Sequence, residues 1–184
     1  MNAEMSTKSN PLLKPYFFKI GGFYTMFGFS DFVGFLLALL LIYPVVSLVH
    51  ELGHSFFAWI FGGEFSFSLG RGKTVFKKGP FSLNSMYFLD AFSEYEHLKW
   101  NNRLTHFLVH AGGIIFNLGS VLVLNILISQ GFIEPHTIFV RYSYFSVWLA
   151  TFSLIPVDYG NGNYSDGLAI YHVLRYNEWP KLTG

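Results

Sequence analysis

Apolar residues along this chain are gathered into long runs rather than scattered. They fill approximately 32–61, 104–129 and 137–156. About 20 mostly apolar residues suffice for a helix to cross a bilayer, so the pattern predicts three core transmembrane helices. The first runs from about Asp31 to Phe61, with Gly62-Gly63 as its stop. The second covers about Leu104 to Ser129, and the third ends at Leu154-Ile155-Pro156. Between the first two the periodicity changes. "EFSFSLGRGKTVFKKGPFSLNSMYFL" (64–89) alternates apolar and polar residues, is broken by Gly70, Gly72 and Gly79-Pro80, and reads as one or two short strands. "AFSEYEHLKWNNR" (91–103) is the most charged stretch and is expected to form a surface helix leading into the second span. A Gly/Asn-rich loop after Pro156 precedes a short helical pattern from about Asp166. Residues 1–15, with Pro11 and Pro15, read as a loose tail. Residues 16–30 are aromatic with interspersed glycine and suit the membrane interface. The expected fold is an all-α integral membrane protein with about three core transmembrane helices, a short β-hairpin and a C-terminal surface helix.

Composition sharpens this picture. Of 184 residues, 52% are hydrophobic and only 12% charged, against about 25% charged in ordinary soluble domains. A net charge of +1 gives no reason to expect nucleic acid as a partner. The absence of cysteine removes disulfides, iron–sulfur clusters and thiolate ligands. The N-terminal stretch runs into the first apolar segment without an evident cleavage site. Lys and Arg set orientation. The 62–103 loop holds Arg71, Lys73, Lys77, Lys78, Lys99 and Arg103, whereas 130–136 holds none. Loop 62–103 is therefore expected on the cytoplasmic side of a multi-pass protein, in the plasma membrane of a prokaryote.

The chemistry is concentrated in "SLVHELGHSFFAW" (47–59), where two histidines and a glutamate interrupt an apolar run. Residues i and i+4 share a helix face, so His50 and His54 project together, with Glu51 beside them and Ser47 on the same stripe. Two imidazoles at that spacing can bind one zinc ion, and the adjacent carboxylate can act as base. Ionisable groups within a bilayer cost about 2.5–3.5 kcal/mol each on insertion scales, so three in one turn need a compensating partner. Pro44 removes a backbone hydrogen bond just before the site and is expected to bend or loosen the helix there. A zinc centre also needs a third protein ligand. "HAGGIIFNLGS" (110–120) puts Gly113, Asn117 and Ser120 on one face of the second helix, where small residues allow close helix approach. His106 and His110, also i and i+4, lie on that face as polar lining.

Taken in order, these segments resemble the site-2 protease family of intramembrane zinc metalloproteases. "HELGH" is similar to that family's zinc-binding helix, and "FSFSLGRGKTVF" (65–76) to its glycine-bearing hairpin. "RLTHFLVHAGGIIFN" (103–117) resembles its Arg followed by Ala-Gly-Pro…Asn, and "SLIP…SDG" its Asn-x-x-Pro…Asp-Gly. The resemblance covers about 32–175. It implies one membrane-embedded domain over 1–184, with an N-terminal tail and interfacial segment at 1–30 and a catalytic core at 31–175. It further implies His50, His54 and Asp166 as ligands of one Zn2+ per chain, Glu51 as catalytic base, and Asn117 as a catalytic residue binding the substrate backbone or stabilising the oxyanion. Gly113 replaces the usual proline, Ser153 replaces the Asn, and the gap from Pro156 to Asp166 is long, which leaves Asp158 as a rival third ligand.

The activity implied is hydrolysis of peptide bonds in or near transmembrane segments of a membrane protein or membrane peptide. The alternatives are a catalytically inactive metal-binding membrane scaffold and a metal transporter. The lipid bilayer is an expected partner, with a regulatory partner or a homo-oligomer beside it, and the short chain leaves control of cleavage to a partner protein or to prior trimming of the substrate.

Overall fold

The computed structural model describes residues 18–20, 23–25 and 28–180. The tail expected at 1–15 lies outside these residues, as do parts of the interfacial segment 16–30. The chain divides into two compact units, 1–36 and 37–184. In the first, β1 (Phe18–Ile20) pairs antiparallel with β2 (Phe23–Thr25), and α1 (Phe29–Leu37) begins.

In the second unit a π-helical turn (Ala38–Ile42) leads into α2 (Tyr43–Ile60). The loosening expected from Pro44 takes this form. Pro44 has no N–H to offer and its ring crowds the carbonyl four residues back, and a π turn widens the helix at that place. Gly62, at φ 73°, ends the helix. Two long strands follow, β3 (Glu64–Lys78) and β4 (Phe81–Glu96). Phe67, Ser68 and Leu69 have partners on both flanks, at 91–93 and again at 81–83. The β3–β4 pair thus folds back on itself, with residues 67–69 lying between two stretches of β4 in one antiparallel sheet. Beyond it lie α3 (Arg103–Ser129), α4 (Thr137–Leu154), a small hairpin of β5 (Asp158–Gly160) and β6 (Asn163–Tyr164), and α5 (Asp166–Tyr176). α3 opens with a capping box: the Asn102 side chain accepts from Thr105 N at 3.1 Å, and Thr105 Oγ1 accepts from Asn102 N at 3.1 Å.

The all-α expectation with three core transmembrane helices is overturned. The fold mixes helices with a substantial sheet. Among the described residues, only two helical runs are long and apolar enough to cross a membrane, Phe29–Ile60 and Arg103–Ser129. α4 has 18 residues but carries Arg141 together with several hydroxyl side chains. The surface helix expected over 91–103 is a correction too. Residues 91–96 belong to β4, and their burial alternates, with Ala91 and Ser93 inward and Glu94 and Glu96 outward. That period of two marks a strand.

The second unit is organised around α2, which packs on α3, β4 and α4. The closest contact is glycine on glycine. A Cβ built on Gly53 would run into the Gly112 carbonyl, and one on Gly112 into the Gly53 carbonyl. Beside it, Ala58 and Val109 are fully buried among Phe57, Phe61, Phe65, Tyr95 and Leu98.

Candidate metal centre

His50, Glu51 and His54 are all buried on α2 and face a cavity of about 610 Å³. Helical spacing places the two imidazoles together, with ring centroids 4.9 Å apart. Potential ligand atoms of these three residues lie within 4.8 Å of one another. Asp166, from the first turn of α5, meets the histidines from the opposite side. Its Oδ2 is 3.0 Å from His50 Nε2, and its Oδ1 is 3.4 Å from His54 Nε2. Two ligands bound at 2.0–2.1 Å to a tetrahedral zinc stand roughly 3.3 Å apart, so these separations fit a shared ion.

The position of Asp166 has a local cause. Ser165 caps α5: its hydroxyl donates to the Ile155 carbonyl at 2.7 Å and accepts from Val157 N at 2.9 Å and Leu168 N at 3.3 Å. That ties the helix start to the end of α4. Gly167 completes the fit, since a Cβ there would collide with the Leu154 carbonyl. Burial pushes the Asp166 carboxyl up, but His54 and His50 beside it outweigh burial and hold it below its ordinary value.

Each histidine has its second nitrogen engaged by α3. The Val109 carbonyl lies 2.7 Å from His54 Nδ1. A carbonyl only accepts, so Nδ1 carries the hydrogen and Nε2 presents its lone pair toward Asp166, the tautomer a metal ligand needs. Asn117 Nδ2 is 3.2 Å from His50 Nδ1. Asn117 is fully buried behind the His50 ring and does not line the cavity. Gly113 makes room for that ring, because a Cβ there would stand 2.5 Å from His50 Nε2.

Other residues fall as follows. Ser47 and Ser153 line the cavity. Asp158 is exposed, and its carboxylate accepts from Gly160 N at 2.7 Å within the β5–β6 turn. His106 and His110 do not line the cavity. His106 Nε2 donates to Asn101 Oδ1 at 2.7 Å, which leaves Nδ1 to accept from Tyr95 Oη at 2.8 Å. Burial holds the Tyr95 phenol well above its ordinary pKa, so it remains a donor. Sequence reasoning missed Ser93, whose hydroxyl donates to Glu51 Oε2 at 2.7 Å. It also missed the cavity wall built by Tyr159, Asn163 and Tyr164 of the β5–β6 hairpin. The alternation of 91–96 was the signal for the first; the length of the Pro156–Asp166 gap was the signal for the second.

No family model matches the chain, and no solved structure matches it. A comparison with known proteins finds similarity to a Bacillus subtilis (strain 168) protein described as "Uncharacterized membrane protein YwmF". The two are 46% identical over 153 residues, which make up 83% of this chain and 96% of the relative. At that identity and coverage, the chain belongs to the family of the membrane protein YwmF.

Proposed function

We propose that this protein is an intramembrane zinc metalloprotease of the site-2 protease type, hydrolysing peptide bonds in or near transmembrane segments of membrane substrates. One observation carries the reading. His50 and His54, on an apolar helix, converge with Asp166 from more than a hundred residues away, and an adjacent glutamate faces the same cavity. His50, His54 and Asp166 would hold one zinc ion. Bound there, zinc supplies Lewis acidity and makes water acidic enough to ionise near neutral pH.

The remaining steps fall to the chain's own groups. Glu51 takes a proton from the attacking water and hands it to the leaving amine. Ser93 holds the Glu51 carboxylate in one orientation. Ala91 and Ser93 line the cavity beside Glu51, so an extended substrate segment lying along them would bring a carbonyl to the base, in the manner of strand addition. The opposite wall, with Phe152, Ile155 and Val157, excludes water and accepts apolar side chains. The basic loop joining the two candidate spans faces the cytoplasm of a multi-pass protein.

The test combines metal analysis with cleavage of a panel of single-span membrane proteins, comparing wild type with Glu51→Gln. The expected result is about one zinc per chain in both and cleavage only in wild type, with the variant slower by at least about a hundredfold. Zinc in both with equal cleavage would remove Glu51 as base. A metal-free wild type would end the protease reading.

A further inference from the structure

The protease reading gives both histidines the same duty, yet their second nitrogens are held differently. His54 is set by a backbone carbonyl, which has one possible role. His50 is set by a carboxamide, which has two. With Asn117 Nδ2 at 3.2 Å from His50 Nδ1, the amide donates, Nδ1 accepts, and the ring hydrogen sits on Nε2, where it bonds to Asp166 Oδ2 at 3.0 Å. His50 so arranged presents no lone pair to a metal. Asn117 Oδ1 meanwhile has no hydrogen-bond partner although the residue is 0% exposed, and an orphaned buried acceptor is costly. The opposite orientation of the same amide frees the ring and pairs the oxygen, leaving the amide nitrogen as the atom without a partner. Turning the amide over brings Oδ1 to His50 Nδ1. Nδ1 then carries the hydrogen and donates, and Nε2 is freed toward Asp166 and His54.

We infer that Asn117 is a positioning residue that sets the His50 tautomer for metal binding, its amide oxygen accepting from His50 Nδ1. It acts through His50 and does not touch substrate. The inference rests on the proposed metal centre. A ligating histidine characteristically donates its other N–H to an oxygen acceptor, and loss of such an acceptor costs about 10–100-fold in metal affinity.

The test uses the full chain in detergent, stripped with a chelator and titrated with zinc against a competing chelator. Wild type, Asn117→Leu and Asn117→Asp are compared, with folding checked by circular dichroism. Aspartate keeps an oxygen acceptor and leucine removes it. The expected result is tenfold to hundredfold weaker binding for Asn117→Leu and binding within about tenfold of wild type for Asn117→Asp. A second readout is the 15N spectrum of labelled histidine, in which His50 of zinc-loaded wild type should carry its hydrogen on Nδ1. The Asp variant and this tautomer reading keep the inference testable should the Leu variant fold poorly. Equal affinity in all three proteins overturns it, as does an Asp variant as weak as the Leu variant, or a His50 hydrogen on Nε2 in the zinc-loaded protein. Failure of wild type to bind zinc removes the metal centre itself, which separates that failure from failure of the Asn117 role.

Discussion

Asp166 and Asp158 compete in the sequence for the place of third ligand in the proposed zinc site. Both follow the end of α4, and the spacing leaves both open. The structure separates them: Asp166 touches both histidines while Asp158 is spent on its own turn. Asp166→Asn is expected to abolish stoichiometric zinc, and Asp158→Asn to leave it unchanged, as read by elemental analysis after dialysis. The reverse pattern would exchange their roles. Ser93 gives a second residue-level prediction. Its hydrogen bond goes to a carboxylate, and such bonds contribute about 1.5–3 kcal/mol. Ser93→Ala should slow cleavage by roughly tenfold or more at unchanged zinc content; a fall in zinc instead would make Ser93 a structural prop. His50, Glu51 and His54 were legible because a 3.6-residue period turns spacing directly into shared facing. Ser93 was not, because its partner is 42 residues away and only tertiary packing brings them together.

At the level of elements, the helix expected over 91–103 was wrong, its first six residues being strand, but the other helices were legible to within a few residues, since long apolar runs with glycine and proline punctuation leave few choices. The sheet was not. Glycines interrupt its alternation, and its register doubles back at 67–69, which no local pattern encodes. The glycines of the helix pair lend themselves to a direct test. Gly53→Ala and Gly112→Ala each place a methyl group against the facing backbone. Overpacking typically costs about 1–3 kcal/mol, and backbone cannot rotate aside as a side chain can. Both variants should unfold at lower temperature in detergent. Gly119→Ala, which meets nothing within 4 Å, should be neutral or slightly stabilising because alanine favours helix. A Gly112 variant as stable as the Gly119 variant would contradict the close approach. Gly167→Ala tests the same principle at the site: by pushing α5 off the Leu154 carbonyl it should displace Asp166 and weaken zinc binding.

For the whole molecule, the membrane setting was legible from composition, whereas the number of spans was not. Length and apolar content single out two helices, and α4 is too polar to join them on those criteria. Orientation can be mapped directly because the chain has no cysteine. Lys77→Cys and Glu134→Cys introduce one thiol each, in the loop between the spans and in the loop after α3. In intact cells an impermeant maleimide should label the Glu134 variant from outside and the Lys77 variant only after lysis. Labelling of the Lys77 variant from outside would reverse the assigned orientation.

The glycine contact between α2 and α3 also bears on how a substrate of the proposed protease would enter. Val109 and Asn117, which engage the two histidines, lie on either side of Gly112 along α3. Sliding α3 along α2 by one residue, about 1.5 Å, would detune both imidazoles at once. This pair of helices therefore serves as the fixed jaw of a vice. In the proposed protease, opening would come from the other walls, the sheet residues Arg71, Ala91 and Ser93 or the stretch from Leu149 through Tyr164. The second of these runs into Asp166, so admitting a substrate there and completing the proposed ligand set would be opposing movements of a single piece of chain.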